Sequence, residues 1–153
     1  MNGDRLALAR WEADRHAAVL SDALAEWDGL PAPSLEAIEG DRHLRQLTDQ
    51  LLFRFMKLQD VIGERLVPAT LGWLAEPFEP WPMRDRLDRL EKLGFVDVAH
   101  WLRWRETRNR LAHEYPDAPA LRHAQVLAAI EAARALVLAY RAWSARLPVS
   151  GAT

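Results

Sequence analysis

The segment DRHLRQLTDQLLFRFMKLQDVIGERL, residues 41–66, decides the fold class. Leu44, Leu47, Leu51, Phe55, Leu58, Ile62 and Leu66 recur in it at spacings of three and four, so one face of a single long helix is apolar. A stripe this close to a coiled-coil seam has to be covered by other helices. Upstream, Leu6, Ala9, Ala13, Ala17, Leu20 and Leu24 mark one face of a first helix near residues 4–28, which Gly29-Leu30-Pro31-Ala32-Pro33 breaks. Ser34, with Glu36 and Glu39, begins a short turn ahead of Gly40. Downstream, Pro68 ends or kinks the long helix and leaves residues 69–75 as a short helical piece. Pro77, Pro80 and Pro82 make residues 76–82 an extended connection, with Phe78 and Trp81 as its anchors.

A third helix covers residues 83–93 and stops at Gly94, a left-handed cap. Asp97 caps a fourth from Val98 to about Glu114, which Pro116 ends. Asp117 and Pro119 restart a final helix to about Leu147, and the tail 148–153 is small, polar and frayed. No segment sustains period-two alternation. The expected fold is all-α: one domain over residues 1–153, an antiparallel up-and-down bundle of four to five helices with short extra helices.

Composition narrows the chemistry. The absence of cysteine excludes disulfides, zinc–thiolate sites and a thiol nucleophile. His16, His43, His100 and His123 are scattered and form no metal-ligating pair, so neither a metal nor another cofactor is expected. Walker-type loops, dinucleotide glycine clusters and Gly-x-Ser-x-Gly elbows are absent as well. The most apolar stretch, from Val126 to Tyr140, is interrupted by Glu131 and Arg134, so no membrane span is expected. The opening residues lack an apolar signal core, which leaves a cytoplasmic protein as the expectation. Seven tryptophans are many for 153 residues, and core packing is the plainer use for each of them.

A net charge of −2 does not suit bulk nucleic-acid binding. Between His100 and His113, however, Arg103, Arg105, Arg108 and Arg110 face a single acid, Glu106. A local basic patch suits a small phosphate site, and a solvated helix face would carry the same charges. The patch ends in Arg108-Asn109-Arg110-Leu111-Ala112-His113-Glu114-Tyr115. Continued as a helix to residue 114 or so, it puts Arg108 and Tyr115 nearly on one line and Asn109 and His113 on a neighbouring one, the four spanning a face about 160° wide. His113 carries an imidazole, the side chain suited to general acid or base work. Arg108 is permanently charged and forked, matching paired phosphate oxygens. Asn109 either donates to phosphate or fixes the His113 tautomer, and Tyr115 adds a hydroxyl.

The pattern Arg-Asn-x-x-x-His-x-Tyr resembles the signature of the HEPN superfamily, in particular its HepT-like toxin branch. Softer likenesses lie at residues 54–60 and 90–94, and together the resemblance covers roughly residues 40–140. It implies a small helical bundle acting as a metal-independent endoribonuclease, commonly a homodimer. Arg108 and His113 would be catalytic, with Asn109 as the polar residue following the arginine. It also implies a toxin–antitoxin pair, of type II or type VII-like kind, with a nucleotidyltransferase antitoxin of the MNT type that AMPylates Tyr115. One histidine does not easily serve as base and acid at once, so a symmetric dimer bringing two copies of His113 together fits the scheme. The plainer alternatives are a non-catalytic HEPN module that binds nucleotide or protein, or a motif that only caps, solvates and pairs. In the latter, Arg108 would pair with Glu106 or Glu114 and His113 would sit at a helix C-terminus. Asp49 and Asp60 are about 16 Å apart along their helix, too far for a carboxylate pair. Asp60 reaches the Arg108 face only if the two helices pack together, and a solvated acid is the default.

Overall fold

A computed structural model describes residues 2–149, without the side chain of Asn2. The described residues are helical with no strand: α1 (Asn2–Asp28), α2 (Leu35–Gly40), α3 (Arg42–Val61), a π-turn (Ile62–Leu66), α4 (Val67–Trp73), α5 (Met83–Lys92), α6 (Val98–Arg110) and α7 (Pro119–Ala145). Side-chain caps set several starts. Ser34 accepts from Ala37 N–H ahead of α2, Asp41 from Leu44 N–H ahead of α3, and Asp97 from His100 N–H ahead of α6. Gly94, at φ 87, takes the left-handed turn between α5 and α6. Within the expected tail 148–153, residues 150–153 lie outside the described residues.

Helix directions follow from who meets whom. Glu26 near the end of α1 pairs with His43 at the start of α3, and Glu12 pairs with Arg65, so α1 and α3 run antiparallel. Arg10 donates to Ser144 Oγ (3.1 Å) while Asp28 holds Arg134 (2.7 Å), which makes α7 antiparallel to α1. Phe95, just ahead of α6, packs its ring 5.9 Å from that of Trp143 near the end of α7. The α6 helix therefore runs up against both α3 and α7, and α1, α3–α4, α6 and α7 form an up-down-up-down bundle.

Both expected stripes are inside. All six α1 positions from Leu6 to Leu24 are buried, joined by Ala23 and Trp27. Leu47, Leu51, Phe55, Leu58, Ile62 and Leu66 are buried too, whereas Leu44 at the bundle end is half-buried. Opposite them stand Ala129, Ile130, Ala133, Leu136 and Val137 of α7. Each fully buried large side chain contributes about 1.5–3 kcal/mol of transfer free energy. Trp143 satisfies its indole by donating to Thr70 Oγ1 at 3.1 Å. Tyr140 donates to Asp14 Oδ1 at 2.5 Å, and burial, reinforced by that bond, pushes its phenol well above the ordinary range.

Pro68 does not end the long helix, which continues to Trp73. The backbone widens first: Val67 N–H reaches back five residues to Ile62 O, and Pro68 then falls in the first turn of α4, where a missing N–H costs nothing.

One partly buried contact makes stability depend on pH. Arg54 Nη1 donates to His16 Nδ1 at 2.9 Å between α3 and α1. Burial, then the neighbouring charges of Arg54, Lys57 and Arg15, lower the His16 pKa below its ordinary 6.5, with Glu12 opposing. The folded protein thus takes up this proton less readily than the unfolded chain. The contribution is complete above pH 6.5 and is lost as pH falls through the lower folded value. Thermal melts should show the His16→Gln variant losing less stability than wild type between pH 7 and about pH 5. Parallel pH curves for the two proteins would count against this assignment.

Candidate functional site at the end of α6

The end of α6 differs from the sequence expectation, and the difference reshapes the site. The helix stops at Arg110 rather than near Glu114. Leu111, Ala112 and His113 donate to the carbonyls of Arg108, Asn109 and Arg110 at 3.2, 3.2 and 3.1 Å, a tighter i→i+3 winding. Pro116 cannot donate backward and disfavours the α conformation at the residue before it. Tyr115 sits at φ 43, in the left-handed region, at a cost of about 1–2 kcal/mol. The expected lines of Arg108 with Tyr115 and Asn109 with His113 therefore do not exist, because the last two residues are off the helix.

A residue the sequence reading passed over holds this loop. Arg122 Nη1 donates to both Tyr115 O and Pro116 O at 3.0 Å, and Ala118 N–H reaches Tyr115 O at 3.2 Å. Glu39 of α2 fixes Arg122 in turn, with Nε to Oε1 at 3.1 Å. The His113 and Tyr115 rings lie 6.1 Å apart, tilted by 55°. His113 is exposed and Tyr115 half-buried. An arginine seven residues beyond the motif, at the opening of α7, was visible in the sequence, but its use depends on the fold of the loop.

Arg108 pairs with neither Glu106 nor Glu114. Its Nε and Nη2 each donate at 3.2 Å to the two carboxylate oxygens of Asp60 on α3. That bidentate bond comes first among the causes that raise the arginine's pKa, against burial and with help from the charges of Asp60 and Glu64. Asp60 is thus no solvated acid: the two helices pack and bring it to the arginine. Arg110 pairs with Glu106 at 2.5 Å. Two of the four clustered arginines are therefore neutralised locally, leaving Arg103 and Arg105 without an ion pair among the described residues. The positive patch is weaker than the sequence charges imply.

Arg108 and Asn109 line a cleft of about 320 Å³ between α3 and α6, with Arg105 and Trp101 continuing the same α6 face. The α3 side is Gln59, Asp60 and the π-turn residues Gly63 and Glu64. Gly63 lets the two helices approach closely, since a Cβ there would come within 3.3 Å of the Trp101 ring and the ring would have to give by a few tenths of an ångström. Neither His113 nor Tyr115 lines this cleft. The four motif residues thus fall into two adjacent groups, Arg108 with Asn109 in the cleft and His113 with Tyr115 on the following loop. A larger groove of mixed polarity, about 570 Å³, lies between α1, α4 and the proline-rich connection, and it includes Phe78 but no motif residue.

Among the described residues, no cluster of three or more His, Asp or Glu side chains is arranged to hold a metal ion. No described helix is long and apolar enough to cross a membrane. Comparison with family models, with curated proteins and with solved structures finds no match.

Proposed function

We propose that the protein is a HEPN-type, HepT-like metal-independent endoribonuclease, with its site at the end of α6. The observation that carries this reading is the placement of a carboxylate-held Arg108 at a cleft beside a loop that exposes His113. In the reaction the ribose 2′-oxygen attacks the adjacent phosphorus and the bond to the 5′-oxygen breaks. A 2′,3′-cyclic phosphate and a 5′-hydroxyl result. His113 takes the 2′-hydroxyl proton or gives one to the leaving oxygen, and a second His113 from a homodimer does the other. Arg108 stabilises the charge on the phosphorane, and Asn109 donates to the same oxygens.

A strand-binding surface adjoins this site. Phe53 is 48 % exposed on α3, two turns before Asp60. Arg54, which also holds His16, and the exposed Lys57 lie over its ring at 5.5 and 5.7 Å, so an aromatic side chain and a cation able to meet a phosphate, Lys57, stand together. The antitoxin of the reading is an MNT-type nucleotidyltransferase. It joins AMP to Tyr115, the phenol oxygen displacing pyrophosphate from ATP, and the added nucleotide puts bulk and negative charge beside His113, whose ring lies 6.1 Å from that of Tyr115. The separation of His113 from the cleft favours a second reading, a non-catalytic HEPN module that binds nucleotide or protein.

Expression in a bacterial host separates the two. The wild type alone is expected to arrest growth with loss of intact RNA, and His113→Ala to restore both. Equal toxicity of wild type and His113→Ala would remove the catalytic reading.

A further inference from the structure

The cleft contains more buried hydrogen-bonding capacity than its protein partners use. Gln59 is 3 % exposed, and neither its amide nitrogen nor its amide oxygen has a hydrogen-bond partner. Trp101 is 2 % exposed, and its indole N–H is likewise unpartnered. Both line the same cleft. Buried polar atoms in native proteins are almost always paired, so two such side chains meeting at one cavity point to something that completes them. By contrast, the indole of Trp143 finds Thr70.

The donor set restricts what fits. Gln59 offers donors and an acceptor, and Trp101 offers a donor only. A bare anion offers acceptors only and would leave the Gln59 carbonyl unpaired. A ligand presenting both donors and acceptors satisfies the pair, and the Trp101 ring with Met83 supplies an apolar wall. Arg105 and Arg108 stand along the same side, where an attached phosphate would be held. At about 320 Å³ the cleft lies at the small end of ligand sites, enough for one heterocycle and not for an extended molecule. The π-turn helps to form it, since Gly63 lets Trp101 approach the widened helix.

We propose that this cleft is a nucleobase subsite, in which Gln59 and the Trp101 N–H read the edge of a base and Arg105 and Arg108 hold its phosphate. The inference deepens the ribonuclease reading and rests on it for the identity of the ligand as part of an RNA strand. Base recognition here would give cleavage its sequence preference, because a site built to hydrogen-bond a ligand strongly rejects one that lacks the groups.

Binding is read without cleavage by titrating the full-length protein calorimetrically with AMP, CMP, GMP, UMP, ribose 5-phosphate and inorganic phosphate. At least one nucleoside monophosphate is expected to bind about tenfold or more tightly than ribose 5-phosphate. Gln59→Leu and Trp101→Phe are each expected to cut that margin to about threefold or less. Gln59→Leu removes unpartnered atoms at nearly constant shape, so its melting temperature should not fall. Trp101→Phe provides the second reading if Gln59→Leu misfolds. Equal binding of all probes, no binding of any, or a margin that survives both substitutions would overturn the subsite. The two readings fail separately. A nucleobase margin in a protein that never cleaves RNA sinks the nuclease and keeps the subsite. Cleavage without a margin does the reverse.

Discussion

Arg108→Ala is expected to lower RNA cleavage by about two to three orders of magnitude, the loss typical when one transition-state donor is removed. Two of the five guanidinium N–H groups hold Asp60, so three remain for phosphate oxygens. The anchor keeps the side chain aimed while the free N–H groups meet the developing charge, which is the arrangement that preorganised stabilisation requires. Arg108→Lys should not restore activity, because a point charge cannot hold a carboxylate by two parallel bonds and still present a fork to phosphate. Asp60→Asn retains an acceptor and should cost less, on the order of tenfold, through looser positioning. The Arg108 and Asp60 side chains are 32 % and 35 % exposed, so breaking the pair should cost no more than about 1 kcal/mol of stability. Single-turnover cleavage beside thermal melts separates the two effects. A large loss of stability with little loss of rate would make Arg108 a structural residue.

Trp101→Ala should have the largest effect on stability. The side chain is 2 % exposed between α6 and the π-turn, and its truncation leaves a cavity that Gly63 has no side chain to fill. A loss of about 3–5 kcal/mol is expected for such a change. For a chain of 153 residues that corresponds to a fall in melting temperature of roughly 6–20 °C. The same truncation of the exposed Trp11 on α1, 60 % accessible, should change stability by no more than about 0.5 kcal/mol. Equal losses at the two positions would contradict the packing described for α6.

Most of the bundle was legible because its signals are local. The stripes of α1 and α3 place their own residues in the core at 3.6 residues per turn, and Ser34, Asp41, Gly94 and Asp97 mark ends through their own side-chain or backbone chemistry. At Pro68, expected to end or kink the helix, the ending did not occur and a short helical piece does follow, but the π-turn before it is an adjustment of backbone register that no residue type announces. The end of α6 misled for a related reason. Pro116 marks where the helix cannot continue, but the helix already stops at Arg110, and no residue type announces the left-handed backbone of Tyr115. Of the candidate site, the residue types were readable and their partners were not. Asp60 lies 48 positions from Arg108 in sequence, and only the antiparallel packing of α3 on α6 joins them. Gln59 carried a weak signal, a polar side chain flanked by the core residues Leu58 and Ile62, where burial without a partner is costly. Arg122 carried none, because its role is to hold two carbonyls of a loop whose shape had to be known first.

The central claim, that the end of α6 cleaves RNA without metal, is tested most directly by mass spectrometry of the products formed from a defined oligoribonucleotide in excess EDTA. The account predicts fragments ending in 2′,3′-cyclic phosphate, paired with fragments bearing a 5′-hydroxyl. It also predicts their absence with folded Arg108→Ala and His113→Ala proteins. Intact RNA with the wild type, or the same fragments at undiminished rate with both variants, would contradict it.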